Sequence, residues 1–393
     1  MVSKPYGDLV GVRPGKLADS MLALGFPAAE VAHRLVLERG VDPVRARLLV
    51  EIALTQQAIL APLKGRQELV AMYVSIPFCP SRCAYCSFPS HSLEQYRRAK
   101  REQYLVGLLR EIEAVAEAMD NCGLLLSALY IGGGTPTTLE ASQIGVLLPA
   151  LAACPTWERP REATFEAGRP DTLDEGKLDA IPRDYRLSIN PQSMHDRTLL
   201  AIGRRHSVTD VRESFALARQ LGFNNINMDL IVGLPGETPA DIGASLEQVL
   251  DLEPESVTLH MFSPKRASRF GGGEAWERLS DADARAASDL AVGKLRPAMH
   301  PYYLYRQRAI LGGLENTGWS RPGRECLYNV MMIAETHGVI GVGAGANSIF
   351  PVPGQAWQRH ANPKDAALYL RRLPELIKEK RALLSAWRKK DGS

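Results

Sequence analysis

Residues 73–88 read Tyr73-Val-Ser-Ile-Pro-Phe-Cys79-Pro-Ser-Arg-Cys83-Ala-Tyr85-Cys86-Ser-Phe88. The front of this stretch continues an apolar, β-branched run from residue 70 to residue 76, the pattern of a buried strand. Three cysteines then follow at Cys-x3-Cys-x2-Cys spacing. Thiolates on one short loop can hold three corners of a cubane [4Fe-4S] cluster. The fourth iron is then left without a protein ligand, free to bind something else. A structural zinc site or a closed electron carrier calls for four ligands. Three unrelated buried thiols are the competing reading of the same spacing.

Outward from this loop, strands and helices alternate. Strand-like runs lie at 70–76, 127–131, 163–167, 185–190, 226–232 and 256–262. Between them come helical patterns at 94–119, 139–151, 208–221 and 239–250, the first with Leu105, Leu108, Leu109, Ile112 and Val115 on one face. Six strands with intervening helices imply an α/β fold with a parallel sheet and right-handed crossovers. A flat doubly wound sheet would give a similar string. Candidate functional residues recur at the C-terminal ends of most strands, which favours a partial TIM-like (β/α)6 barrel.

Three units follow from this reading: a helical segment 1–67, the barrel 68–270 and a C-terminal α+β domain 271–393. In the first, helices are expected at 14–24, 27–40 and 44–60, with Asp42 as N-cap and Pro43 at the first helical position. Arg13 and Lys16 read as solvated charge, with a ligand-facing role as the alternative. A basic, glycine-rich stretch at 264–273 precedes the third unit. That unit holds a helical pattern at 281–295, the aromatic run 301–305, the glycine-rich run 341–346 and a basic amphipathic helix at 362–387. The last helix is expected to pack on its own core rather than on a membrane surface.

A net charge of +3 on 393 residues argues against a general nucleic-acid binder. No run is read as long and apolar enough to span a membrane, and residues 1–16 lack a signal-peptide hydrophobic region. The expectation is a cytoplasmic protein without stable membrane insertion. Of six cysteines, Cys122, Cys154 and Cys326 lack companion spacing and read as ordinary thiols. At the end of the second strand, Gly132-Gly133-Gly134-Thr135-Pro136 offers bare backbone that a small zwitterion can touch.

Linked motifs carry a family resemblance. Tyr73-Val-Ser-Ile-Pro-Phe-Cys79, residues 132–137, Ser188-Ile-Asn-Pro-Gln192, Met228-Asp-Leu-Ile-Val-Gly-Leu-Pro-Gly236 and residues 341–348 occur in this order. Together they resemble the oxygen-independent coproporphyrinogen III oxidase family of radical S-adenosylmethionine (SAM) enzymes, over roughly residue 70 to the C-terminus. Its Z-type (HemZ-like) subgroup is also similar at 11–16, 303–307 and 325–329. The resemblance implies that Cys79, Cys83 and Cys86 ligate a [4Fe-4S] cluster, and that Tyr73, Gly133 and Glu166 contact the SAM bound to it. It further implies a second SAM, with Tyr85, Gly134, Thr135, Gln192, Arg204, Asp229 and Ser263 at the corresponding positions. Asn347 is carried over where the family residue is apolar. A valine at Gly134 or loss of Asp229 is thus expected to impair SAM use and spare the cluster.

The family chemistry implies oxidative decarboxylation of a tetrapyrrole propionate to a vinyl group, with a flavodoxin- or ferredoxin-type electron donor and no catalytic side chain beyond cluster and SAM. Lys265, Arg266, Arg306, Arg308, Arg321 and Arg324 are candidates to receive propionates, with exposed charge as the alternative. The chain departs from the oxidase pattern at Phe88, where a further cysteine is usual, and at Ser75, usually histidine. It lacks the late His-Asn-x-x-Tyr-Trp element of the haem-chaperone branch, reading Glu325-Cys-Leu-Tyr-Asn-Val-Met-Met332 there. Haem ring opening, methylation of a small substrate and haem trafficking stay open as alternatives. RNA modification is a further one, without a nucleic-acid module to support it.

Overall fold

The computed structural model describes residues 4–11, 13–153, 162–272, 276–350 and 357–388. Strand β1 (Leu69–Ile76) shows how the fold begins. Val70, Met72, Val74 and Ile76 enter the main core, whereas Ala71 and Tyr73 join a second cluster on the other face. That is the two-residue period of a strand buried on both sides. Five more strands line up beside it in chain order and parallel: β2 (Leu125–Gly133), β3 (Glu162–Glu166), β4 (Arg186–Gln192), β5 (Ile226–Val232) and β6 (Ser256–Met261). All six lie where the apolar runs place them.

The last part of the chain extends both edges of this sheet. Beyond β6 come β7 (His300–Tyr305) and β8 (Asn316–Ser320), paired antiparallel, with β8 against β6. On the opposite side β9 (Val339–Val342) runs parallel to β1, followed by the antiparallel β10 (Asn347–Phe350) and β11 (Gln358–Ala361). The glycine-rich run 341–346 thus hides a seventh parallel strand, which composition alone did not reveal. The complete order is β11-β10-β9-β1-β2-β3-β4-β5-β6-β8-β7, an open sheet of α/β type with (β/α)-barrel crossovers.

The concave face is polar in layers. Arg186 donates to Ser256 at 3.0 Å near its base. Above, Asn227 donates to Ser188 at 2.9 Å and Thr258 to Asn227 at 3.2 Å. Asp229 lies mid-strand in register with Thr258, and Glu166, Asn190 and His260 stand toward the C-terminal ends. Barrel interiors are usually filled by branched apolar residues, so hydrogen-bonded layers ending in carboxylates mark a working surface. A short helix, α11 in chain order (Leu327–Ala334), packs Tyr328 and Met331 against Ala71 and Ala128 and closes part of this face.

Helices α1 (Gly15–Ala23), α2 (Ala28–Arg39) and α3 (Pro43–Leu60) lie where the sequence places them. Asp42 accepts from the amides of Val44 and Arg45 at 2.9 and 3.3 Å, and Gly40 ends α2 at φ 63°. Lys16 is exposed charge as read, although it pairs with Glu335 at the C-terminal end of α11, whereas Arg13, paired with the same carboxylate, is half-buried. Residues 43–63, at mean hydropathy 1.2, are long and apolar enough to cross a membrane by length and composition, a run the sequence reading missed. Here α3 packs Leu48, Leu49, Ile52 and Ala53 into the core, and its buried Arg45 pairs with Glu315 at 3.1 Å.

Helix α4 (Arg98–Asn121) starts later than its apolar pattern. Residues 91 and 92 instead pair with Phe78 and Cys79, and the Leu93 amide donates to the Cys79 carbonyl at 3.1 Å. Helix α10 (Asp281–Leu295) falls as read. The C-terminal helix α12 (Ala366–Arg388) begins after Asn362, whose side chain is committed to a buried network described below.

Candidate active site

The cysteine loop leaves the C-terminal end of β1 and is pinned on several sides. The Ala84 amide donates to the Ile202 carbonyl at 3.0 Å, the Phe270 amide to the Ala84 carbonyl at 3.4 Å, and the Cys86 amide to the Cys83 carbonyl at 3.1 Å. Cys79, Cys83 and Cys86 are free thiols; Cys83 is buried and the other two half-buried. The Thr135 hydroxyl points at Cys79 Sγ from 3.6 Å, and Arg169 Nη1 at Cys83 Sγ from 3.7 Å. Burial pushes the Cys86 thiol up to about 11, against a backbone hydrogen bond at Phe88 and with Cys83 and Cys79 adding repulsion. Ligation by a metal reverses that balance by removing the proton.

The donor set fits an iron–sulfur cluster. Among the described residues no three His, Cys, Asp or Glu side chains converge as ligands of a single ion would. A cubane takes its thiolates on different irons, so three cysteines spread along a loop suit it where a mononuclear ion would go unbound. The donors from Thr135 and Arg169 supply the hydrogen bonds that tune such sulfurs.

The other strands contribute a set of polar side chains. Glu166 closes β3, accepts from Asn190 Nδ2 at 3.3 Å and is also bonded by the Gly133 amide. Burial pushes its carboxyl up to about 8, with the Asp229 charge adding to the effect. Asp229 on β5 accepts from Asn227 Nδ2 at 2.6 Å and stands 3.4 Å from His260 Nε2. Burial would raise its carboxyl too, but His260, Asn227 and Thr258 hold it below the usual range. Two facing carboxylates are thus driven apart in acidity.

Gln192 ends β4 at φ 72°, a left-handed conformation that costs a non-glycine residue on the order of 1–2 kcal/mol. Its side-chain carbonyl is buried without a partner. A strained residue with an orphaned acceptor at the strand ends is what a bound polar ligand would satisfy. Arg204 is buried and spends Nη1 on the carbonyls of Gly168 (3.2 Å) and Asn190 (2.5 Å) and Nη2 on the Tyr85 hydroxyl (3.1 Å). Only its Nε remains unpartnered. Tyr73 is flanked by Tyr130 and Tyr328, ring centroids 6.0 Å away in each case.

Gly133, Glu166 and Gln192 end their strands, Cys79, Cys83, Tyr85, Cys86, Gly134, Thr135 and Arg204 follow strand ends in the chain, and Tyr73 and Asp229 lie mid-strand. Ser263 lies just past β6, its hydroxyl donating to the Arg308 carbonyl at 2.8 Å. Asn347 is exposed at the start of β10, and among the described residues its side chain bonds to none of the others. One expectation is corrected. A methyl group at Gly134 would lie 2.5 Å from the Phe78 carbonyl oxygen, so the space there is filled by the cysteine loop itself. Substitution of Gly134 therefore strikes the cluster loop first and does not spare it.

Arg306, read as a candidate for propionates, bonds the carbonyls of Leu9 and Gly313 at 3.1 Å each and covers the Tyr6 ring. Sequence reading missed Arg169, His260, Tyr305 and the tyrosine group. His260 had a usable signal, a polar residue in step with Thr258 on an otherwise apolar strand. Arg169 had none, because its reach back to Ser81 and Cys83 exists only in three dimensions. Cys326 is buried beside Glu162 and Thr164, away from the loop, and Cys154 lies outside the described residues.

Comparison with known proteins points to one family. The model of the radical SAM superfamily matches residues 73–249. The oxygen-independent coproporphyrinogen-III oxidase-like protein HemZ of Bacillus subtilis (strain 168) is 38% identical over 386 residues, 96% of this chain and 77% of that protein. The heme chaperone HemW of Escherichia coli (strain K12) is 27% identical over 287 residues, 72% of this chain and 71% of its own. Among solved structures, the E. coli coproporphyrinogen III oxidase HemN superposes with a TM-score of 0.62 at 22% identity, covering 82% of this chain and 73% of that one. At that identity the likeness is one of fold.

Proposed function

This chain belongs to the radical SAM superfamily and to the family of the HemZ-type oxygen-independent coproporphyrinogen-III oxidase-like proteins, and on that premise we propose that it oxidatively decarboxylates a propionate-bearing porphyrinogen such as coproporphyrinogen III. The observation that carries the reading is the free-thiol loop tied to the parallel strands by Thr135 at Cys79, Arg169 at Cys83 and Arg204 between Tyr85 and Asn190, with Asn190 in turn bonded to Glu166. A [4Fe-4S] cluster held by Cys79, Cys83 and Cys86 would supply the electron for reductive cleavage of a SAM bound to it, and oxidation of the propionate to a vinyl group would release carbon dioxide and pass the remaining electron to an external acceptor.

The chain's own residues bind, orient and shield. Glu166 accepts the amino N–H groups of the SAM at the cluster, beside Tyr73 and the bare backbone of Gly133. Gln192, Arg204 Nε, Asp229 and Ser263, with Tyr85, Gly134 and Thr135, line the place of a second SAM. Tyr130 and Tyr328 wall the concave face and keep water from a reactive intermediate. Arg82 and Arg205, exposed beside the loop, offer charge to an acidic flavodoxin- or ferredoxin-type donor in the cytoplasm.

The test is anaerobic incubation of reconstituted, reduced protein with SAM and coproporphyrinogen III, following deoxyadenosine, carbon dioxide and vinyl-bearing product together. Carbon dioxide formed in step with deoxyadenosine supports the reading. Deoxyadenosine without carbon dioxide, where an authentic oxidase turns over, rejects the substrate.

A further inference from the structure

Arg169 follows the end of β3 and turns its side chain to the cysteine loop. A guanidinium carries five N–H groups, and here each has a partner. Nε donates to Asp171 Oδ1 at 3.0 Å and Nη2 to Asp171 Oδ2 at 3.1 Å, a two-point grip on one carboxylate. Nη2 also donates to the Ser81 hydroxyl at 3.1 Å. Nη1 donates to the Ser81 carbonyl at 3.3 Å and to Cys83 Sγ at 3.7 Å. The backbone behind it is fixed as well. In the single turn Pro170–Thr172, the Thr172 hydroxyl donates to the Arg169 carbonyl at 2.7 Å and lies 2.6 Å from that of Thr137.

The Arg169 side chain is 3% exposed and that of Asp171 20%. The guanidinium is therefore buried charge, and water screens little of its effect on a neighbouring sulfur. Within the loop the thiols differ: Cys79 faces the neutral Thr135 hydroxyl, whereas Cys83 faces this cation.

We propose that Arg169 is a positioning residue that sets the reduction potential of the cluster through Cys83, and that Asp171 opposes it. The guanidinium favours the reduced state and the carboxylate the oxidised one. The inference rests on the reading of Cys83 as a cluster ligand. Reduction takes one electron from an external donor, which is oxidised, and makes the cluster with its thiolates one unit more negative. A fixed N–H and a positive charge are then worth more than before reduction, which raises the potential. Asp171 grips the Nε and Nη2 edge, away from the Nη1 that meets the sulfur. It acts in the opposite sense and over a longer reach, so the arginine dominates.

The experiment is a dye-mediated titration of the anaerobically reconstituted holoprotein with dithionite, without SAM. It follows the electron paramagnetic resonance signal of the reduced cluster, with iron content measured on the same samples. Arg169→Met should shift the reduction equilibrium roughly tenfold toward the oxidised cluster, the scale of one charge-assisted hydrogen bond, or about 59 mV downward for one electron. Asp171→Asn removes the opposing charge, keeps one acceptor for the guanidinium and should shift the potential upward by less. Arg169→Lys keeps the charge without the planar fork and should fall between Arg169→Met and wild type. A residue that only clamps the loop would change iron content and leave the potential of the loaded protein where it was. An Arg169→Met protein with full iron and the wild-type potential thus overturns the inference, and so do shifts of the same sign in Arg169→Met and Asp171→Asn. If Arg169→Met takes up no cluster, an unshifted or lowered potential in Asp171→Asn overturns it equally. Wild type that takes up no cluster instead overturns the reading of the cysteine loop on which the inference stands.

Discussion

Replacing Gly134 with alanine should dislodge the cluster, and the size of the effect follows from one contact. The added methyl would sit 2.5 Å from the Phe78 carbonyl oxygen and 2.9 Å from its nitrogen and carbonyl carbon. Ordinary contact begins near 3.4 Å, so the loop must recede by 3.4 − 2.5, roughly 0.9 Å. All three atoms are backbone, and no side-chain rotation relieves the clash. Overpacking of this kind costs about 1–3 kcal/mol. Phe78 immediately precedes Cys79, and metal–thiolate bonds tolerate displacements of only about 0.2 Å, so most of that cost falls on the metal site. Expressed as cluster affinity it is a loss of about fivefold to a hundredfold. Gly145 is the control: it lies on the exposed face of helix α5 (Ala141–Ala152) with nothing within 4 Å of an added methyl. Alanine there should stabilise by about 0.5–1 kcal/mol. Iron and sulfide content after anaerobic reconstitution, with the rate of iron loss to a chelator, reads both variants. A Gly134→Ala protein with full iron and wild-type chelator kinetics refutes the reasoning, because the loop would then have room that the structure denies it.

Alanine at Cys79, Cys83 or Cys86 should abolish cluster uptake, whereas Cys122→Ala and Cys326→Ala should keep about four irons and four sulfides per chain; full iron in any of the three loop variants counts against a three-thiolate site. Lys380→Met should cost about 3–5 kcal/mol in denaturant unfolding, because Lys380 and Glu111 are both almost fully buried and Glu111 would be left without its cation. Burial would raise the Glu111 carboxyl, but Lys380, the Gly343 amide and Tyr369 outweigh it and hold it below the usual range. A depressed carboxyl contributes stability above about pH 4.3, its unfolded value, and loses it as pH falls through the folded one. Wild type should therefore weaken on acidification with a slope that Lys380→Met lacks, and equal acid slopes in the two proteins would remove Glu111 as the source.

That buried pair also shows how the C-terminal helix serves the site. Lys380 donates to the Gly341 carbonyl at 2.6 Å, and Asn362 bridges Glu111 and the Gly343 carbonyl at 3.0 and 2.8 Å. The turn so held receives the Ser75 hydroxyl on the Ala344 carbonyl at 2.7 Å, one residue before β1 ends. Ser75, one of the positions where the sequence departs from the family pattern, is part of the brace behind the cysteine loop. An amphipathic pattern announces a packing face, but it does not announce that one lysine on that face will be driven into the core.

The sequence by itself determined the parallel strands, the cysteine loop and the helices of the N-terminal unit. Each rests on local rules: apolar runs with β-branched residues, ligand spacing along one loop, and Asp42-Pro43 as a helix start. The family resemblance of the surrounding motifs made Glu166 and Asp229 candidates, and Glu166 is also an acid at the end of an apolar run. Only the tertiary structure decided that these two acids face each other and split in acidity, because burial and mutual repulsion act across strands that are neighbours in space and not in sequence. The same holds for Arg169 against Cys83, for His260 beside Asp229, and for Gly134, whose bare backbone makes room for the cysteine loop. Strand order and side-chain reach set those distances, and no local pattern encodes them.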